Sequence, residues 1–147
     1  MNNKFRNSVG IHETNYHCTE NGYLRILPML FDLSVGNFYL QFSRETNREE
    51  ILICIHKYFH PWQRIFIGVT DPSNPTIETP EQICELILQA AKYIPVEQLG
   101  TTDDCEFAPF ADDRSVSKYI ALRKIKARIK GTRMAEEKLA IQRKISR

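Results

Sequence analysis

"RIFIGVTDPSNPTIETPEQICELILQAAKYI", residues 64–94, holds the decision about the fold. Residues 64–70 form a near-continuous apolar run, the signature of a strand buried on both faces in a parallel sheet. "DPSNPTIE" (71–78) follows as a turn-rich loop. The helix after it opens on strong start signals: Thr79 as the cap, Pro80 at the first helical position, and Gln82 placed to complete a capping box. Ile83, Leu86, Ile87, Ala90 and Ile94 recur at helical spacing and make one buried stripe. A buried strand that runs through a short loop into a helix is one βα unit. The rest of the chain is then read by asking how many such units flank it.

Upstream, "GNFYLQF" (36–42) is aromatic-rich, bounded by Gly36 and Ser43, and reads as a strand. Its helix is "TNREEILICIHKYF" (46–59), with Thr46 as cap, Glu49 completing a capping-box pattern, and Ile51, Cys54, Ile55 and Tyr58 on the apolar face. Before these, "SVGIHE" (8–13) reads as a short strand, and "GYLRILPMLFDL" (22–33) as a helix that Pro28 either kinks or delays. Downstream, "VEQLGTT" (96–102) supplies a last short strand or extended piece. A helical segment then fills most of 115–145, marked by Val116, Tyr119, Leu122, Ile125 and Ile129, with a break at Gly131. Four units in series predict an α/β fold with parallel pairing and helices as crossovers. Functional residues in such folds gather where strands end. His12, Gln41, Thr70 and the stretch from Asp103 to Cys105 all fall there.

The 147 residues suit a single domain, with βα units over 8–114 and a basic helical segment over 115–147. Hydrophobic content of 42% and charged content of 26% are those of an ordinary soluble protein. No apolar run reaches the roughly 20 residues that span a bilayer, and "MNNKFRNSVG" lacks the apolar core of a secretory signal. A cytoplasmic protein with no membrane partner is expected. Cys18, Cys54, Cys84 and Cys105 show no CxxC spacing, which argues against a disulfide framework and against a ribbon-type zinc site. The net charge of +2 hides an asymmetry: from Arg114 onward there are 12 Lys or Arg against 2 Asp or Glu, while residues 1–113 hold the other 8 and 16. Such a segment is either a solvated helix docked on its own domain or a nucleic-acid contact. Its apolar stripe, and the lack of interleaved aromatics beyond Tyr119, favour the docked helix, so nucleic acid is not the expected partner.

"YIPVEQLGTTDDCEFAPFADDRSVSKYIALRKIKARIKGT" (93–132) resembles the C-terminal part of the cobalamin-independent methionine synthase family, in particular its short single-barrel members. "IFIGVTDPSNPTIETPEQICELILQAAKYIP" and "LPMLFDLSVGNFYLQF" extend the likeness upstream, so that it runs from about Val9 to about Leu139. The most specific stretches are "TTDDC" and "IETPEQ". The resemblance implies a (β/α)8 TIM barrel, which takes roughly 250 residues. A chain of this length would then be a partial barrel of about four units, the second half, with a long C-terminal helix. It also implies a methyltransferase of methionine biosynthesis that works without cobalamin. In that family a zinc ion binds a thiol such as homocysteine as its thiolate, which attacks a methyl group.

Family zinc ligands are a His and a Cys in a His-x-Cys pair, a Glu at the end of the next strand, and a Cys in the last unit. Carried onto this sequence they fall on His12, Thr14, Gln41 and Cys105. His12 and Cys105 are thus the metal candidates, and Thr14 and Gln41 replace a thiolate and a carboxylate. Losing two anionic donors lowers zinc affinity, unless His17 or Cys18 reaches in from the same loop. The expectation is a methyltransferase-like, truncated chain with a degraded zinc site, inactive alone. The alternative is a non-catalytic fragment or interaction protein that keeps only the scaffold. Four strands would leave open edges and an open interior face, so a complementary half-barrel chain or a second copy is the expected partner. Other candidates have plainer readings: Cys54 and Cys84 as core residues, His56 and His60 as helix C-terminal caps, and Trp62 as the cover of a helix end. Asp103 and Asp104 either orient a ligand or serve as turn residues.

Overall fold

Apolar residues at helical and strand spacing do fold as the sequence asks, with the differences at their ends and faces. The computed structural model describes residues 22–107 and 116–145. In chain order the elements are α1 (Gly22–Phe31), β1 (Asn37–Leu40), α2 (Arg48–Tyr58), β2 (Arg64–Gly68), α3 (Pro80–Ala90), β3 (Leu99–Thr102) and α4 (Lys118–Ile145). His12, Thr14, His17, Cys18 and the strand expected over 8–13 lie outside the described residues.

Helix α3 starts as its sequence prescribes. The Gln82 amide N–H donates to Thr79 Oγ1 at 3.2 Å, and the Thr79 N–H donates to Gln82 Oε1 at 2.9 Å. Two of the N–H groups that a helix start leaves without partners are satisfied in this way. Helix α2 differs from expectation: its cap is Asn47, with no side-chain cap hydrogen bond, so Thr46 and Glu49 form no capping box. Arg48 anchors this helix instead, donating from Nη2 to Ser43 O at 2.6 Å and from Nε to Phe42 O at 3.3 Å. Helix α1 runs through Pro28 rather than starting after it.

The three strands pair in parallel in the order β1-β2-β3, with Phe38 opposite Ile65, Ile65 opposite Leu99, and Phe66 opposite Gly100. Phe38, Leu40, Ile65 and Ile67 point to one face, where they pack with Leu27 and Phe31 of α1, Ile51, Leu52 and Ile55 of α2, and Ile83, Ile87 and Ala90 of α3. Among the described residues no helix covers the opposite face. Tyr39 is 66% exposed there and stacks on Phe66, with ring centroids 4.7 Å apart. The double burial expected for 64–70 is met at its carboxyl end, where residues 67–70 are all buried, and not at its start, where Arg64 is exposed and Phe66 half-buried. A continuous apolar run allows burial on both faces, but these elements put helices on only one.

Helix α4 overturns two expectations. It continues unbroken through Gly131, and Tyr119, Leu122 and Ile129 of the expected buried stripe are exposed. The inward positions are Lys124, Ala127, Gly131 and Ala135. Gly131 is there because α4 lies close to α3: a Cβ would sit 2.6 Å from Ile83 Cγ2 and 2.7 Å from the Pro80 carbonyl oxygen. Lys124 is fully buried, and its Nζ donates to Thr76 O at 2.5 Å and pairs with Glu78 Oε2 at 2.8 Å. A buried ammonium held by a carboxylate and a carbonyl is tolerated where an unpaired one is not.

Candidate functional site at the carboxyl ends of the strands

Beyond its last residue, Thr102, β3 continues as Asp103, Asp104 and Cys105, and the two acids turn different ways. Asp104 reaches over β2 to the chain leaving β1. Its Oδ1 accepts from the N–H groups of Phe42 (2.8 Å) and Ser43 (2.9 Å), and its Oδ2 from Ser43 Oγ (2.7 Å) and the Arg44 N–H (3.0 Å). The Asp104 N–H donates to Thr70 O at 2.9 Å. The path crosses Gly68, where a Cβ would lie 2.8 Å from the Asp104 Cα and collide with its carboxylate. Asp103 turns toward the helices, accepts the Thr70 hydroxyl hydrogen, and lies 3.3 Å from Arg128 Nε. That Nε is buried and makes no aligned hydrogen bond, so the contact is one of charge, while Arg128 Nη1 donates to Thr101 O at 3.2 Å.

Burial raises the Asp104 carboxyl pKa above its ordinary value, and the hydrogen bonds from Phe42, Ser43 and Arg44 work the other way. Burial also raises the Cys105 thiol pKa. The Asp104 and Asp71 carboxylates add to the rise, Arg44 opposes it, and Asp103 contributes again. Arg44 and Asp71 pair at 3.5 Å, and Arg44 Nη1 donates to Ser73 Oγ at 3.0 Å. They form one wall of a cleft of about 670 Å³ that also involves Arg48, Glu78, Gln82 and Leu86. Gln41, at the other candidate position, donates from Nε2 to Glu45 Oε1 at 3.1 Å, and its carbonyl accepts the Tyr23 hydroxyl at 3.1 Å.

Gln41, Thr70 and residues 103–105 thus meet at one end of the sheet, as their strand-end positions predict. His12 lies outside the described residues, so its place is not given. Sequence reading did not single out Arg44, Asp71, Gly68 or Arg128. Gly68 ends β2, and Arg44 and Asp71 lie in the loops that follow β1 and β2, which was the available signal; Arg128, on a long helix, offered none. His56 is not a terminal cap: its Nδ1 lies 2.7 Å from Tyr93 O, past the end of α3. His60 is not one either, since its ring stacks on Trp62. Cys84 is buried in the core, as expected, whereas Cys54 is half-buried and packs against its edge.

Does this donor set fit zinc? Cys105 is one soft donor, and its surroundings hold the proton on sulfur. Gln41 presents a neutral amide already bonded to Glu45. The nearby carboxylates are committed: Asp104 to four donors, Asp103 to Thr70 and Arg128, and Asp71 to Arg44 and to the Ser73 N–H and hydroxyl. Among the described residues no three His, Cys, Asp or Glu side chains group as a metal shell. The described residues therefore do not by themselves fit a zinc centre, and no thiolate nucleophile arises from them unaided.

The methionine synthase of Thermococcus kodakarensis is 29% identical over 129 residues, covering 88% of this chain and 35% of that protein. The methionine synthase of Sulfurisphaera tokodaii is 28% identical over 124 residues, 84% of this chain and 33% of its own length. The chain is a homologue of the cobalamin-independent methionine synthases. It spans about a third of the length of these two curated relatives. A third methionine synthase relative, the 5-methyltetrahydropteroyltriglutamate–homocysteine methyltransferase of Buchnera aphidicola, is 31% identical over 100 residues, 68% of this chain and 12% of that protein. Among solved structures, a B12-independent methionine synthase from a Shewanella species superposes with a TM-score of 0.68 at 19% identity, over 82% of this chain and 32% of the other; this likeness shows the α/β fold. No protein-family model matches the chain. No helix among the described residues is long and apolar enough to cross a membrane.

Proposed function

We propose that the chain is the part of a methionine synthase-type (β/α)8 barrel that carries the last zinc ligand, and that its zinc site is degraded, so that it does not transfer methyl groups to a thiol alone. The observation that carries this reading is Gln41. The family resemblance implies an anionic ligand at that strand end, and the residue present is an amide that donates to Glu45 instead. His12 and Cys105 remain the two candidate ligands. The sequential strand order, parallel pairing and one-sided helices support a barrel segment whose interior face is the one bearing Tyr39 and Phe66. A complementary half-barrel chain, or a second copy, would cover that face.

Metal analysis of the purified chain tests the reading. Zinc far below one equivalent, unchanged by Cys105→Ser, together with no methylation of homocysteine, is the expected result. One tightly held equivalent of zinc that Cys105→Ser removes would sink it. The restoring variant Thr14→Cys/Gln41→Glu adds back two anionic donors and is expected to raise zinc affinity by about tenfold or more.

A further inference from the structure

We propose that Asp104 is a positioning residue: its carboxylate clamps Cys105 to the chain beside Gln41, holding together two strand ends that the sheet does not pair. β1 and β3 are separated by β2, so no ladder hydrogen bond relates their carboxyl ends. The relation is made by one side chain. Phe42, Ser43 and Arg44 aim three successive N–H groups at the Asp104 carboxylate, and the Ser43 hydroxyl adds a fourth donor, all between 2.7 and 3.0 Å. Successive amides converging on one point form an anion-binding nest, and here the anion is supplied by the residue next to Cys105. Phe42 in turn directly follows Gln41. The two candidate ligand positions are thus each one residue away from the same set of hydrogen bonds.

Gly68 makes room for this crossing, because its missing Cβ leaves the space that Asp104 occupies above β2. Asp103, the neighbouring acid, takes no part: its partners are Thr70 and Arg128. The pair that looks interchangeable in the sequence is divided, with Asp104 tying β3 to β1 and Asp103 tying β3 to β2 and α4. This inference rests on the reading of Cys105 as a ligand position, but the clamp exists with or without metal.

The experiment uses the full chain without metal. Amide hydrogen exchange is followed at Phe42, Ser43 and Arg44, and iodoacetamide alkylation at each cysteine, below the melting temperature of every variant. Asp104→Asn is expected to speed exchange of those three amides and alkylation of Cys105 by about tenfold, the loss of a charge-assisted bond. Cys54 and Cys84 should keep their rates. Asp103→Asn removes a similar charge near Cys105 without touching the nest, and should leave amides 42–44 unchanged. If Asp104→Asn does not fold, Ser43→Ala, which removes one donor of four, is expected to change the same readouts by about threefold. Unchanged exchange at 42–44, or Cys105 acceleration of the same size in both Asp variants, would overturn the clamp. Zinc content plays no part in these readouts, so failure of the zinc reading and failure of the clamp are separate outcomes.

Discussion

Asp103 and Asp104 show how little a residue's type says about its work. Both are acids, adjacent, one residue or two from a candidate ligand. Asp104 commits its carboxylate to a loop 60 to 62 residues earlier in the chain, and Asp103 to Thr70 and Arg128. Gly68 belongs to the same arrangement. Gly68→Ala puts a methyl group against the Asp104 backbone, and relief requires either the carboxylate to leave its nest or β2 to shift. The expected cost is about 3 kcal/mol, the range of overpacking in a tight site. It is read as a lower urea midpoint with faster exchange at Ser43 and Arg44. An Ala variant as stable as the parent would show that the crossing has room to spare. The strand-end position of Cys105 was legible in the sequence, because a short strand followed by a turn is a local signal. Its partners were not, because a carboxylate's choice among donors depends on which chain segments the fold brings near.

At the scale of elements, the start and stripe of α3 were legible, since its cap, its first-turn proline and its apolar spacing act within one or two helical turns, while its end at Ala90 comes short of the Ile94 that the spacing suggested. α2 was legible in extent but not in how it starts, since Arg48 and the loop carbonyls replace the capping box. Glu49, free of that box, reaches the end of α3, where the Tyr93 hydroxyl donates to its Oε1 at 2.9 Å. This bond raises the Tyr93 pKa above the ordinary 10.0, with burial and the Glu49 charge adding to it. The folded chain therefore holds the Tyr93 proton to higher pH than the unfolded chain does. The contribution to stability is fully present below pH 10 and is lost as the pH rises through the raised value. Tyrosinate absorbance should show one tyrosine ionising late, and Glu49→Gln should bring it back toward the others. Identical titrations of the two proteins would exclude the coupling. In α4 the sequence misled: Tyr119, Leu122 and Ile129 repeat at helical spacing, yet the helix docks through Ala127, Gly131 and Ala135 with Lys124 buried beside them. Close approach to α3 is the reason, since small residues allow it and Lys124 finds Glu78 at the contact.

For the molecule as a whole, the feature with most consequence is the sheet face that no described element covers. Tyr39 is largely exposed on it, stacked on Phe66, whose ring lies over the space left by Gly100. An aromatic so placed adds little to the stability of the chain by itself. Tyr39→Asp is expected to change the unfolding free energy by about 0.5 kcal/mol or less, while lowering self-association or capture of a half-barrel chain, as sedimentation velocity would measure. A variant that associates as its parent does would remove this face from the proposed interface.

By itself the sequence determined the alternation of strands and helices, the parallel pairing that such alternation requires, the start of α3, and the kinship with methionine synthases. Each of these rests on periodicity, capping or residue identity over short spans. Only the tertiary structure decided which sheet face is buried, which side of α4 turns inward, and which of two neighbouring acids ties β3 to β1. Those outcomes are set by contacts between residues far apart in the chain, where packing distance and hydrogen-bond competition, not local pattern, select the partner.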